Sequence, residues 1–224
     1  MLLINDFMSK LFLESLDSKR LEVLKKLKTF SDIGVLGGGT ALALQIGHRI
    51  SYDFDIFTHE LPSPYLWTKA KKVFGSSLYR TKDEEYQLDI LTNGGVSITF
   101  FNDDYKQLFE PISTDYFDLM DIRDIASNKA FTIGRRPKWR DYVDIYFILK
   151  ENNLSMSELI NISNKKFGNG FSEKLFIEQL TYWGDITDFE IKYLKNEIDP
   201  KIVQNFLMTE SQKFLSNSLG SQVQ

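Results

Sequence analysis

The run Gly34-Val35-Leu36-Gly37-Gly38-Gly39-Thr40-Ala41-Leu42-Ala43-Leu44-Gln45-Ile46-Gly47-His48-Arg49-Ile50-Ser51-Tyr52-Asp53-Phe54-Asp55-Ile56-Phe57-Thr58 decides how the rest of the chain is read. It holds a glycine-rich turn that opens a short apolar helix, then an Asp-Phe-Asp step in an apolar run. In a strand, alternate side chains share a face, so Asp53 and Asp55 are expected on one side and Phe54 and Ile56 on the other. Two like charges side by side repel unless a cation lies between them. Magnesium suits such a pair, because it takes oxygen ligands and is commonly held by one or two carboxylates together with substrate phosphates. The glycine turn supplies the rest: the backbone can approach closely, and the helix start directs N–H groups at an anion. The pattern therefore makes a physical case for a metal-dependent nucleotide site. Either half alone is commonplace; the two together, at this spacing, are specific.

Working outward, residues 5 to 29 read as helix with a break near Asp17-Ser18, and the lysines there as a solvated face or an RNA contact. Ile33 to Leu36 reads as a buried strand, Thr40 to Ile46 as a helix and Tyr52 to Phe57 as the strand carrying the acids. Arg49 is placed to reach a phosphate or to pair with a nearby Asp. His48 is a hinge residue or a supporting group behind the acids. Pro64 starts a helix through Phe74 that Gly75 ends. Ser77 to Thr81, Tyr86 to Thr92 and Val96 to Phe101 are β-rich, and Asn93-Gly94-Gly95 marks a hairpin.

Pro111 to Met120 reads as a linker, and Asp121 as the cap of a helix over Ile122 to Ile133. From Lys129 to Arg140 there are five cations and no acid, a local positive field in a chain of formal charge −4. A helix follows over Asp141 to Lys150, with Asp141 and Asp144 on one side and Arg140 able to pair with Asp144. By spacing alone this is equally a phosphate clamp and a solvated basic loop. Beyond Ser155-x-x-Glu158, a capping box, the chain reads as helical. Phe171, Phe176, Tyr182, Trp183, Phe189, Tyr193 and Phe206 read as core.

The 224 residues suit one domain or two small lobes, and 42% apolar content suffices for a packed core. The absence of cysteine excludes disulfides and thiolate metal sites and points to a reducing, cytoplasmic setting. No apolar run approaches the roughly 20 residues of a membrane span, so no membrane is expected as a partner.

The combination Gly-Gly-Thr, spacer and Asp-x-Asp resembles the signature of the DNA polymerase beta-like nucleotidyltransferase superfamily. The longer string from Gly38 to Phe57 is similar to the AbiEii/AbiGii toxin-type nucleotidyltransferases of bacterial abortive-infection and toxin–antitoxin systems. Asp124-Ile125-Ala126-Ser127-Asn128-Lys129 and Arg140-Asp141-Tyr142-Val143-Asp144-Ile145-Tyr146 resemble that family's second block. The resemblance covers about residues 30 to 150. It implies an α+β protein: a small mixed β-sheet lobe with flanking helices over 1–115, and an all-helical lobe over 116–224 that completes the cleft. It implies transfer of a nucleoside monophosphate from a nucleoside triphosphate to an acceptor hydroxyl on RNA, tRNA or protein, with a cognate antitoxin as partner. It assigns Mg2+ or Mn2+ to Asp53 and Asp55, and phosphates to Gly38, Gly39, Thr40, Arg49 and Arg136, with Arg135 open as the alternative. It also implies triphosphate contact for Lys129 and a catalytic or site-organising role for Asp141 and Asp144. One position departs from the pattern: Thr99 stands where a third acid is usual, so Asp89 serves only if its face is right. That departure keeps open a catalytically degenerate nucleotide-binding module of the same fold.

Overall fold

The computed structural model describes residues 11–151 and 154–220. The chain divides into two compact units: the residues through Asp104 together with Glu110–Met120, and Tyr105–Phe109 together with Asp121 onward.

In the first unit a 3₁₀ turn at Leu13–Ser15 precedes α1 (Ser18–Leu27). The break expected at Asp17-Ser18 has a local cause. The Asp17 side chain accepts the Arg20 N–H at 2.9 Å and so opens a new helix. The part of the expected helix before residue 11 lies outside the described residues. There follow β1 (Gly34–Gly37), α2 (Gly38–Ile46), β2 (Phe54–Thr58), α3 (Pro64–Phe74), β3 (Tyr79–Glu84), β4 (Gln87–Leu91) and β5 (Ser97–Phe101). The strands form one mixed sheet in the order β1-β2-β5-β4-β3. Only the central pair, β2 with β5, is parallel. The β4–β5 hairpin closes through Asn93-Gly94-Gly95, with Gly95 at φ +75° as such a turn requires.

One face of the sheet is sealed. Ile56, Leu88, Ile90, Ile98 and Phe100 are at most 2% exposed. Phe30, just beyond α1, stacks on Phe74 of α3 at 5.8 Å and meets Phe100 at 5.7 Å, so α1 and α3 form the layer over this face. Each such side chain contributes about 1.5–3 kcal/mol by leaving water. The opposite face, carrying Asp55, Thr99 and Asp89, is only half-buried.

The stretch read as a linker, Pro111–Met120, runs back along β1. Leu36 N–H donates to Asp118 O at 2.9 Å, and Met120 N–H donates to Leu36 O at 2.8 Å.

The second unit is helical: α4 (Ile122–Thr132), α5 (Trp139–Glu151), α6 (Met156–Phe167), α7 (Glu173–Gln179) and α8 (Pro200–Gly220). Its core gathers Ile125, Tyr142, Ile145, Tyr146, Leu159, Phe176 and Leu207, all at most 1% exposed. The capping box forms as expected, with Ser155 and Glu158 bonding each other's backbone at the start of α6. Tyr182, read as core, is 53% exposed. α7 ends at Gln179, so Tyr182 falls beyond the helix and no longer follows its buried stripe. Among the described residues no helix is long and apolar enough to cross a membrane. The chain is thus an α+β protein, as its sequence indicates.

Candidate nucleotide site

β1 ends at Gly37 and the chain turns at once into α2. Gly38 makes that turn at φ +63°, a conformation that side chains resist. A Cβ built on it would lie 2.2 Å from Asp55 Oδ2. One built on Gly39 would lie 2.3 Å from Arg49 Nη2. The turn therefore rests its bare backbone directly on a carboxylate and a guanidinium, and any side chain would force them apart. Arg49 is 4% exposed and donates to Ile50 O at 3.1 Å. A guanidinium at this depth adds to the positive end of α2. His48, beside it, is buried.

Thr40 is 1% exposed. Its hydroxyl lies 2.8 Å from Ser51 Oγ and bonds the Asp53 carbonyl. A threonine has one hydroxyl proton. It donates that proton to Asp53 O and accepts the bond from Ser51. The hydroxyl expected at phosphate thus ties the first turn of α2 to the residue that opens the acidic step.

The acidic strand begins later than expected. β2 starts at Phe54, and Asp53 precedes it. The reason is visible in the pairing. Asp55 is matched with Gly37, the last residue of β1, so the ladder on that side has no partner for residue 53. The Asp53 carbonyl takes the Thr40 hydroxyl instead. Burial still alternates through the step: Asp53, Asp55 and Phe57 are half-buried while Phe54 and Ile56 are sealed.

The register carries Asp55 across the sheet. It is matched with Thr99, Thr99 with Asp89, and Asp89 with Lys82. Residues matched on neighbouring strands share a face, so Asp89 has the right face. It stands two strands away, about 10 Å at the usual 4.7–4.9 Å spacing. The Gln87 amide holds both its oxygens, at 2.8 and 3.0 Å. At that separation Asp55 and Asp89 do not share a magnesium ion, whose ligands sit at about 2.0–2.1 Å.

Among the described residues no group of three or more His, Asp or Glu forms a complete metal cage. The donors near the turn are nevertheless of the kind magnesium takes: the hard carboxylate oxygens of Asp53 and Asp55, with phosphates and water needed to complete the shell.

The second unit holds its own cluster. Lys129 Nζ lies 2.5 Å from Asp141 Oδ1 and 2.8 Å from Asp144 Oδ2. Arg136 Nε lies 2.9 Å from Asp141 Oδ2, with Nη2 3.3 Å from Oδ1. Both aspartates are fully buried. Burial alone would raise the Asp141 carboxyl, but the Lys129 and Arg136 charges outweigh it and hold it below the ordinary carboxylate range. Burial, with the Asp185 and Asp141 charges, pushes the Tyr142 phenol up to about 12. Arg136, rather than Arg135, joins this cluster. Arg135 lies over the Phe131 ring at 3.7 Å and donates to the Gly170 carbonyl at 2.8 Å. Lys129 thus bridges the two aspartates. Ser51 was not legible as a site residue, because only the tertiary fold brings its hydroxyl to Thr40; Gln87 reaches Asp89 from two residues away on the same strand.

No protein-family model matches the chain. It is 27% identical over 190 residues to an uncharacterized protein of Aquifex aeolicus, covering 81% of this chain and 88% of that one. Three solved structures align with most of it. A candidate nucleotidyltransferase from H. pylori has a TM-score of 0.58 at 18% identity, over 86% of this chain and 91% of its own. JHP933 from Helicobacter pylori gives 0.56 at 16%, over 93% and 100%. The nucleotidyltransferase toxin MenT4 from Mycobacterium tuberculosis gives 0.58 at 13%, over 85% and 79%. At these identities the likeness is one of architecture, and the chain has a nucleotidyltransferase-like fold.

Proposed function

We propose that the chain is a metal-dependent nucleotidyltransferase of the AbiEii/AbiGii toxin type, moving a nucleoside monophosphate from a nucleoside triphosphate to an acceptor hydroxyl. The observation that carries the proposal is the contact between the Gly38 backbone and the Asp55 carboxylate. It puts the start of a helix beside a carboxylate, and phosphoryl transfer would use the first for an anion and the second for a metal ion. In the reaction the acceptor oxygen bonds the α-phosphorus, the bond to the bridging oxygen of the β-phosphate breaks, pyrophosphate leaves and the hydroxyl proton passes to solvent. Asp53 and Asp55 would hold Mg2+ or Mn2+, which when bound neutralises phosphate charge and orients the attacking and leaving oxygens. Gly38 and Gly39 present backbone N–H groups to the phosphates, and Arg49 supports them from beneath. Lys129, Arg136, Asp141 and Asp144 carry the roles that the family resemblance gives them: cation at the triphosphate and organisation of the site. Cytoplasmic action and a cognate antitoxin belong to the same reading.

The test is incubation with each labelled nucleoside triphosphate, Mg2+ and total bacterial RNA or lysate. Label should move to an acceptor with the parent and fall at least a hundredfold with Asp53→Asn or Asp55→Asn. Expression alone should arrest growth, and Asp53→Asn should relieve the arrest. An equally toxic and equally active Asp53→Asn would end the proposal. A second reading has one observation in its favour: Thr99 occupies the centre of the Asp55–Asp89 row where an acid is usual. A non-catalytic module would bind nucleotide and transfer no label.

A further inference from the structure

The sheet has two edges, and among the described residues the chain covers one of them. β1 takes the returning Pro111–Met120 stretch through Leu36. β3, at the other edge, pairs with β4 alone. Along an antiparallel edge every second residue turns its N–H and C=O away from the neighbouring strand and offers them to another. Five of the six residues of β3 are exposed, and Tyr79 is 65% exposed.

An open edge is commonly guarded by charge and by a bulge, and β3 has both. Here they follow a pattern. Charges run from Arg80 and Lys82 to Asp83 and Glu84, so the strand is basic at its start and acidic at its end. Its pairing with β4 slips between Arg80 and Lys82. Because of that slip, Arg80 and Asp83 are matched with Ile90 and Leu88 and stand on the sealed side of the sheet. Tyr79, Lys82 and Glu84 are matched with Leu91, Asp89 and Gln87 and stand on the open side. Within the strand Arg80 pairs with Asp83, and Lys82 with Glu84 at 3.0 Å.

We propose that β3 pairs antiparallel with β3 of a second copy of this chain, joining two five-stranded sheets about a two-fold axis between Thr81 and Lys82. In such a contact residue i meets j and j meets i. Arg80 then faces Asp83 of the second copy on the sealed side, and Tyr79 faces its Glu84 on the open side, at both ends of the contact. Opposite charges meet, and each match keeps to one face. The neighbouring registers fail. A slip of one residue sets Lys82 against its own copy, or Arg80 against Lys82, and mixes the two faces. Each strand exchanges an ion pair it already makes for the same pair across the axis, and gains backbone bonds and cover over Tyr79. A second copy fits better than an extended segment of unrelated sequence. The edge matches a strand of reversed charge order, and β3 read backwards is such a strand. The proposal does not rest on the nucleotidyltransferase reading.

The experiment measures the mass of the full chain by sedimentation, from low to high micromolar concentration. The parent should move from the mass of one chain towards twice that mass. Arg80→Glu and Asp83→Lys should each weaken association at least tenfold, because each sets two like-charge pairs across the axis. Mixing the two variants should restore it, since the altered charges then face each other. Unchanged melting temperatures of the single variants separate association from folding. The chain has no cysteine, so cross-linking can read the register. Under mild oxidation, Arg80→Cys mixed with Asp83→Cys should give a covalent pair, and either variant alone much less. A parent that keeps the mass of one chain throughout overturns the proposal and leaves the edge to an extended segment of another protein. Association undiminished by both charge reversals also overturns it, by placing the contact elsewhere. Cysteine variants that link to themselves as readily as to each other reject the pairing of Arg80 with Asp83.

Discussion

Gly38 concentrates the constraints of the site in one residue. A left-handed backbone costs a side-chain-bearing residue roughly 1–2 kcal/mol, and the Asp55 oxygen occupies the space a methyl group needs. Gly38→Ala should therefore lower the melting temperature by a few degrees and reduce nucleotide transfer more than tenfold, because the displaced group is Asp55 itself. A loss of stability with full activity would show that the contact has no part in the chemistry. Thr40 permits a finer test. Its hydroxyl bonds Asp53 O, so Thr40→Val should lower kcat with KM for the triphosphate nearly unchanged, and Thr40→Ser should restore it. A direct phosphate contact would instead raise KM. At this scale the sequence was informative where the partners are neighbours in the chain. Asp53, Asp55 and the glycines could be read because their spacing is itself the geometry. Ser51 could not, since nothing but the packed fold brings its hydroxyl to Thr40.

At the scale of elements, the buried pair of Lys166 and Asp124 joins α6 to α4. Lys166 Nζ lies 2.7 Å from Asp124 Oδ1, and the side chains are 1% and 0% exposed. Asp124 also accepts the N–H groups of Leu108 and Phe109, at 2.9 to 3.1 Å. That explains why Tyr105–Phe109 belongs to the helical unit although the residues on either side belong to the other. Removing one member strands the second charge in an apolar interior, so Lys166→Met should destabilise by about 3–5 kcal/mol in urea unfolding. A cost below 1 kcal/mol would mean that water reaches Asp124. Caps, the hairpin and α3 were legible because each has a residue signature of its own: Ser155 with Glu158, Asn93-Gly94-Gly95, Pro64 with Gly75. The return of Pro111–Met120 along β1 was not. It uses backbone N–H and carbonyl groups that every residue offers, and a backbone bond leaves no mark on side-chain pattern. The parallel pairing of β2 with β5 was hidden for the same reason.

For the molecule as a whole, the consequence of these charges is its response to acid. Asp141 is fully buried between Lys129 and Arg136, and its carboxyl is held below its ordinary value of 3.8. A carboxyl that titrates lower in the folded than in the unfolded state contributes stability above the unfolded value and loses it as pH falls through the folded one. The native chain should therefore weaken steeply below about pH 4. Asp17, Asp32 and Asp121, also lowered, add to the same fall, so the difference from a variant isolates Asp141. Asp141→Asn should be about 3 kcal/mol less stable near neutrality, because Arg136 and Lys129 lose a buried counter-charge. The gap should close as the pH drops below 4, where the parent carboxylate is itself protonated on unfolding. Trp139 stacks on Tyr142 beside the cluster, at 5.9 Å. In a Trp67→Phe background its fluorescence reports the helical unit alongside Trp183. Urea curves for parent and variant at pH 7, 5, 4 and 3 then give the comparison directly. A gap that stays constant across this range would show that the Lys129–Asp141–Arg136 contact carries no pH-dependent stability, whatever its part in the chemistry.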